Sequence, residues 1–338
     1  MSATVKDVAA RAGVSPKTVS NVLSGLVGVS APVRERVERA VAELDYVPNL
    51  SARRLRSGRS GVIALALPDL STPYSAEMAH HFVEAAHERG WGVQIEESGG
   101  RPDREASLLS RARARMVDGL ILNPTVVDEL PLTEALDQMP PTVVIGEVAH
   151  QVFDQVCVDS EQAAFDMTTY LIEAGHERIA VVGTSADTEF MTSVLRARGY
   201  RRALAAAGLV HDPVLEIACD DWTPHGGAVA VRAFLDSSRT PDAIFCFTDS
   251  LAIGVLSELS RRGISVPQGV SVSGFDDVAD GEYASPPLTT VSFDKPRFAA
   301  AALERLARRI SAPYGAEDAP VVIPVEHRIV VRASTRRA

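Results

Sequence analysis

After Gly61 the hydrophobic pattern of this 338-residue chain changes, and the change limits its possible folds more than any other feature. Short runs dominated by apolar residues recur: "VIALALP" (62–68), "GVQIEE" (92–97), "DGLILNP" (118–124), "PTVVIGE" (141–147), "RIAVVGT" (178–184), "DAIFCFT" (242–248) and "VSVSGFD" (270–276). Runs of this length read as buried strands. Helical stretches lie at 73–90, 103–116, 160–175, 194–208, 225–238 and 249–263. Strands and helices that alternate over short connections build parallel, doubly wound sheets. About 280 residues are generous for one sheet, so two similar lobes are expected.

Residues 1–60 have a different texture. Thr4 precedes "VKDVAARA" with Asp7 three residues on, a capping-box arrangement; Val5, Val8, Ala9 and Ala12 share one face, and Gly13 ends the helix. In "GVSPKTVSNVLSG" (13–25) Ser15 is a second N-cap and Pro16 a first-turn residue. Val19, Val22 and Leu23 form the buried side of this two-turn helix, which shows Lys17, Thr18, Ser20 and Asn21 to water. Ser30 is positioned to cap a third helix with Val33, Val37, Val41 and Leu44 inward. Three small helices on one core, the second exposing a polar N-terminal end, follow helix-turn-helix logic. The positive helix end with Ser15 and Ser20 suits phosphates, and Lys17 and Asn21 suit base edges. A purely structural helical hairpin fits the same pattern.

"YVPNLSARRLRSGRSG" (46–61) follows. Pro48 forces the chain out of the third helix, and Asn49 can cap one more short helix over 50–57. That segment lacks a hydrophobic stripe, so on its own it is marginal. Leu55, alone among Arg53, Arg54 and Arg56, has the character of a wedge inserted between base steps, or of a stray residue in a basic linker. Charge divides the same way. Ten basic and five acidic side chains make residues 1–60 +5, so against the −10 of the chain the remainder carries −15. A basic head on an acidic body points to a polyanion partner for the head alone.

The head resembles the DNA-binding domain and hinge of the lactose-repressor (LacI) family through "TVKDVAARAGVSPKTVSNVLSG", "VSAPVRERVERAVAELDYVPN" and "LSARRLRSG". The resemblance implies a homodimer on palindromic double-stranded operator DNA, with paired hinge helices in the minor groove and Leu55 as the wedge. It implies DNA contacts from Thr4, Ser15, Pro16, Lys17, Thr18, Ser20, Asn21, Ser24, Ser30, Asn49, Ala52 and Leu55. The family most often has arginine where this chain has Asn21.

In the body, polar residues stand at strand ends: Asp69, Glu147, Asp249 and Asp276, with Tyr74 and Trp222 nearby. Ligands of open α/β sheets collect at the carboxyl ends of strands, and carboxylates with an aromatic face suit a polyhydroxylated ligand. Singly, Asp249 fits a helix cap and Trp222 an ordinary core residue. "LPDLSTPYS", "RARGYRRAL", "CFTDSLAIG", "VSVSGFDD" and "PPLTTVSFD" resemble the family's effector domain, which is similar to periplasmic sugar-binding proteins. The resemblance implies a cleft lined by Asp69, Tyr74, Glu147, Arg196, Trp222, Thr248, Asp249, Asp276 and Phe293, with Arg196 and Asp276 as hydroxyl partners.

The expected organisation is therefore α/β, with a helix-turn-helix head at 1–47, a hinge at 48–60, one lobe from 61–160 with 292–322, and a second from 161–291 with 323–338. The chain is expected to cross between lobes near 160, 291 and 323. No phosphate-binding glycine loop, nucleophile elbow or metal spacing is visible, so neither enzyme activity nor a cofactor or metal is expected. His80–His81 lies on a surface helix. Cys157, Cys219 and Cys246 suggest no disulfide framework, and with no signal peptide or membrane span visible the expected location is the cytoplasm. The expected function is ligand-controlled repression by a sugar effector. A co-repressor-dependent regulator with a non-sugar effector, or a stand-alone sugar-binding protein, are the alternatives.

Overall fold

A computed structural model describes residues 3–23, 29–46, 59–110, 113, 116–124, 138–147, 152–185, 191–237, 240–312 and 319–335. The chain divides into two compact units, Met1–Ser60 and Gly61–Ala338.

The first unit holds α1 (Val5–Ala12), α2 (Pro16–Leu23) and α3 (Ala31–Glu43). The capping box of α1 is complete: the Thr4 N–H donates to Asp7 Oδ2 at 2.8 Å, and the Asp7 N–H returns to Thr4 Oγ1 at 3.4 Å. Gly13 ends α1 at φ 64°, a conformation glycine adopts without a Cβ clash. Ser15 Oγ accepts the Thr18 N–H at 3.0 Å and so caps α2. Ser30 occupies the N-cap position of α3, yet its side chain makes no cap hydrogen bond, so the start of α3 relies on Pro32 in its first turn. Val8, Ala9, Ala12, Val19, Val22, Val37, Ala40 and Tyr46 form the core. Val33, Val41 and Leu44, expected inward, are only half-buried; Ala40 and Tyr46 close the core instead.

The second unit contains two six-stranded sheets. Along the chain lie β1 (Val62–Leu67), α4 (Pro73–His87), β2 (Gly92–Glu97), α5 (Pro102–Leu108), β3 (Gly119–Leu122), β4 (Thr142–Ile145) and β5 (Asp154–Cys157). Then come α6 (Ser160–Glu173), β6 (Ile179–Thr184), α7 (Met191–Ala206), β7 (Glu216–Ala218), α8 (Pro224–Asp236), β8 (Ala243–Cys246), α9 (Asp249–Arg261) and β9 (Ser271–Phe275). The last elements are α10 (Ala279–Glu282), β10 (Thr289–Phe293), α11 (Lys295–Ser311), β11 (Val322–Pro324) and β12 (His327–Val330). The strand orders are β11-β5-β4-β3-β1-β2 and β12-β10-β9-β8-β6-β7. Every pairing is parallel except β10 with β12.

Helices cover the sheets, which is why β3, β4 and β8 are buried at every position and read as unbroken apolar runs. The edge strand β2 has no buried position and keeps Gln94, Glu96 and Glu97. The chain passes between the sheets three times: between Cys157 and Ser160, between Phe293 and Lys295, and between Pro324 and His327. Two strands run past the expected crossings, because β10 stays in the second sheet to Phe293 and β11 in the first to Pro324. Buried Asp154 anchors α11 to the first sheet. It accepts Arg309 Nε at 2.7 Å, Arg305 Nη2 at 2.8 Å and the Val321 N–H at 2.9 Å. Among the described residues no helix is long and apolar enough to cross a membrane.

Candidate effector cleft and DNA-reading helix

In a parallel sheet every strand delivers its carboxyl end to the same edge. Here the two sheets turn those edges towards each other around a cavity of about 700 Å³. Asp69 follows β1, Glu97 ends β2, Asn123 follows β3 and Glu147 follows β4. From the second lobe come Trp222 after β7, Thr248 after β8, Asp276 after β9 and Phe293 at the end of β10, with Arg196 from α7. Tyr74, in the first turn of α4, completes the expected set.

Arg196 is 6% exposed. Its Nη1 donates to the Phe247 carbonyl, its Nε to Ser160 Oγ at 3.3 Å, and its guanidinium carbon lies 3.4 Å from the centre of the Phe275 ring. Burial pulls its pKa down, against Asp276 and Glu147, which pull it up. Burial pushes the Asp276 carboxyl up to about 7, although Arg196 and Lys295 oppose the rise. Glu147 is also raised by burial, against the Ser160 N–H that its Oε1 accepts at 2.7 Å. Trp222 both packs and faces the cavity. Its Nε1 donates to the Cys219 carbonyl at 2.9 Å and its ring meets Phe247 edge-on. Asp69 Oδ1 accepts the Ser71 N–H at 2.8 Å, which shapes the turn that leads into α4. Phe293 packs against Phe298 at the cavity wall.

Asp249 is the exception. It does not line the cavity; it is fully buried behind it and accepts Thr290 Oγ1 at 2.6 Å and the Val278 N–H at 2.9 Å. Burial, with Asp276 nearby, raises its carboxyl well above the ordinary range. It does not cap α9 either: Thr248 does, accepting the Leu251 N–H at 3.2 Å. At the start of a helix the first side chain points into the protein or into the cleft according to the cap that precedes it, and that choice has no one-residue signature.

Other cavity residues escaped the sequence reading. Ser160 holds both Arg196 and Glu147 from the start of α6. Asp220 and Asp221 precede the tryptophan in "CDDW", a signal that was available. The buried Ser75 hydroxyl lines the cavity and has no hydrogen-bond partner among the described residues. The described lining carries the carboxylates Asp69, Glu97, Glu147, Asp220, Asp221 and Asp276 against the single guanidinium of Arg196. Such a wall disfavours anions and offers acceptors to hydroxyl or amine donors. Among the described residues no group of three His, Cys, Asp or Glu side chains stands together to hold a metal ion.

In the first unit, Ser15, Pro16 and Lys17 are exposed at the N-terminal end of α2, with Thr18, Ser20 and Asn21 half-buried. Ser15 Oγ is occupied as a cap, and the Ser20 hydroxyl donates to the Pro16 carbonyl at 3.0 Å, which leaves its lone pairs rather than its proton outward. Thr4 is exposed and engaged with Asp7, and Ser30 is exposed. Ser24, Asn49, Ala52 and Leu55 lie outside the described residues.

Residues 4–49 match the family of bacterial regulatory proteins of the lacI type, and residues 168–335 match the periplasmic-binding-protein-like domain. The chain is 33% identical over 300 residues to the HTH-type transcriptional repressor CytR of Escherichia coli, across 88% of this chain and 86% of that protein. The chain belongs to the LacI family. Among solved structures it is similar to the transcriptional regulator CelR in complex with cellobiose, at 32% identity and TM-score 0.70, across 98% of this chain and 99% of that one. It is also similar to the lac repressor dimer bound to operator and an anti-inducer, at 26% identity and TM-score 0.82, across 99% of each chain. LacI-family members are transcriptional regulators, and the helix-turn-helix head and binding-protein-like body of this chain follow that family's plan.

Proposed function

We propose that this chain is a repressor that binds a palindromic operator as a homodimer and is controlled by a sugar in the cleft between its lobes. The carrying observation is that cleft: hydroxyl acceptors from nearly every parallel strand end, aromatic walls from Trp222, Tyr74 and Phe293, and one buried guanidinium. The cellobiose held by CelR supports the ligand class. Arg196, Asp276 and Glu147 are the polar anchors, Asp69 and Thr248 further acceptors.

In the head, α2 enters the major groove. Lys17 and Asn21 read base edges, while Ser15, Thr18, Ser20 and the helix end meet phosphates, with Thr4 and Ser30 alongside. Residues 48–60 form the hinge, with Leu55 as the minor-groove wedge. A sugar bound in the cleft changes the relation of the two lobes and so the spacing of the paired hinge starts; it shifts DNA binding only by its differential affinity for the two arrangements, on the order of 1–3 kcal/mol. Induction, in which sugar releases DNA, is the expected sign, and the cytoplasm the expected location.

A gel shift of the full chain on palindromic duplexes recovered by in vitro selection, with and without a panel of neutral sugars that includes cellobiose, tests this reading. Retarded DNA that one sugar releases supports it. Equal affinity for palindromic and random duplexes at moderate salt rejects it, and tighter binding with sugar reverses the sign.

A further inference from the structure

Residues 276–278 form a short strap between β9 and α10, and Ala279 opens α10. Asp276 and Asp277 have φ of 108° and 51°, a backbone region that non-glycine residues keep only where surrounding contacts hold them. Asp276 lines the cleft, while Asp277, Val278 and Ala279 line a second cavity of about 640 Å³. The strap and Phe293 border both spaces.

The strap is held by side chains from both lobes. From its own lobe, Arg332 Nη2 donates to Asp277 Oδ1 at 2.7 Å and Asp249 Oδ2 accepts the Val278 N–H at 2.9 Å. From the other side, Lys295 Nζ donates to the Asp277 carbonyl at 2.8 Å, and Glu77 Oε1 accepts the Ala279 N–H at 2.6 Å. Glu77 and Lys295 also pair with each other at 2.5 Å. Glu77 sits on α4 and Lys295 begins α11, the two helices that pack together against the first sheet. Neither residue lines the cleft.

We propose that Glu77 and Lys295 are positioning residues of the effector site: as a pair they grip the strap across the lobes and set where the Asp276 carboxylate stands in the cleft. This rests on the cleft being the effector site. Its consequence is mechanical coupling. A change in lobe arrangement pulls on the strap and moves Asp276, so a ligand bound through Asp276 favours one arrangement, as linkage requires.

The test uses the full chain with Glu77→Ala, Lys295→Met, the gentler Glu77→Gln, and Glu84→Ala as an exposed control on the same helix. Hydrogen exchange of a peptide covering 277–282 is expected to speed up at least tenfold in Glu77→Ala and Lys295→Met, less in Glu77→Gln, and not in the control. The second readout is the carbon-13 titration of Asp276, assigned by its loss in Asp276→Asn. Asp276 is faced by Arg196 of α7, Tyr74 and Glu77 of α4, Asp249 of α9 and Lys295 of α11. Its midpoint is expected to rise in Lys295→Met, because a favourable cation is lost. Third, cellobiose and other neutral sugars bound by the parent chain are expected to bind at least fivefold more weakly.

Unchanged exchange overturns the proposal whatever the Asp276 midpoint does, because loss of the Lys295 charge moves that midpoint even where the strap stays put. So does a loosened strap with parental midpoint and affinity, which would make the pair merely structural. If Glu77→Ala does not fold, Glu77→Gln and Lys295→Met decide by the same readouts. Should the parent chain bind no sugar, the sugar reading fails, while exchange and the Asp276 titration still decide whether the pair sets the carboxylate.

Discussion

Arg196 shows how little a residue type says about its surroundings. The helix α7 carries four arginines; Arg198, Arg201 and Arg202 are exposed, and Arg196 alone is buried at the cleft. The helix turns Arg196 towards Ser160 and Phe275, where its donors find a carbonyl and a hydroxyl. Replacing it by methionine keeps the volume of the stem but leaves the Phe247 carbonyl without that donor, takes the neighbouring cation from Glu147 and leaves Asp276 with Lys295 alone. Hydrogen bonds to charged groups contribute about 1.5–3 kcal/mol. Urea unfolding of Arg196→Met is expected to show a loss of that order, and thermal shift to show no stabilisation by any sugar that stabilises the parent. A variant that retains the ligand-induced shift would remove Arg196 from the site. The sequence pointed to Arg196 only through its family resemblance; Asp249, which both its strand-end position and the resemblance assigned to the cleft, proved to be a buried support.

At the scale of elements, the clamp on α11 has the clearest pH signature. Burial pushes Asp154 up, but hydrogen bonds from Arg309, the Val321 N–H and Arg305 outweigh it and hold the carboxyl below its ordinary value. A carboxyl lowered in the folded state contributes stability that is complete above its unfolded pKa and disappears as pH falls through the folded one. Asp154→Asn leaves two arginines beside a neutral amide, and breaking a buried pair costs about 3–5 kcal/mol. The expected result is a large drop in urea midpoint at pH 7 and a smaller gap between parent and variant at pH 3. An equal gap at both would mean that packing, not charge, holds α11. None of this was read from "FDQVCVD", because the partners lie about 150 residues further on. Close helix contacts are equally hidden. A Cβ on Gly199 would stand 2.1 Å from the Glu161 carbonyl oxygen, so α6 and α7 approach closely only with glycine there.

For the whole molecule the decisive asymmetry is electrostatic. A +5 head joined to a −15 body leaves one unit suited to a polyanion and the other not. Binding through phosphates releases counterions, so affinity for a selected palindromic duplex is expected to fall at least tenfold between 50 and 200 mM salt. Under the proposed mechanism, truncation after Ser60, which removes the cleft, leaves weak, salt-sensitive DNA binding that no sugar alters. Fluorescence anisotropy on both forms checks this. A fragment that binds as tightly as the full chain and still responds to sugar would sink the hinge mechanism.

Local physics was written in the sequence. Capping boxes, first-turn prolines and apolar periods act over a few residues, so the three small helices, the parallel α/β class and the charge division follow from order alone. The strands β5, β7, β10, β11 and β12 were not legible, since they are three residues long or mix polar with apolar residues, which carries too little pattern to separate a strand from a loop. Which strand ends face one another, which acids line the cleft and which support it from behind were decided only when two sheets came together. Such contacts join residues from a few tens to some two hundred positions apart, and no neighbouring residue records them.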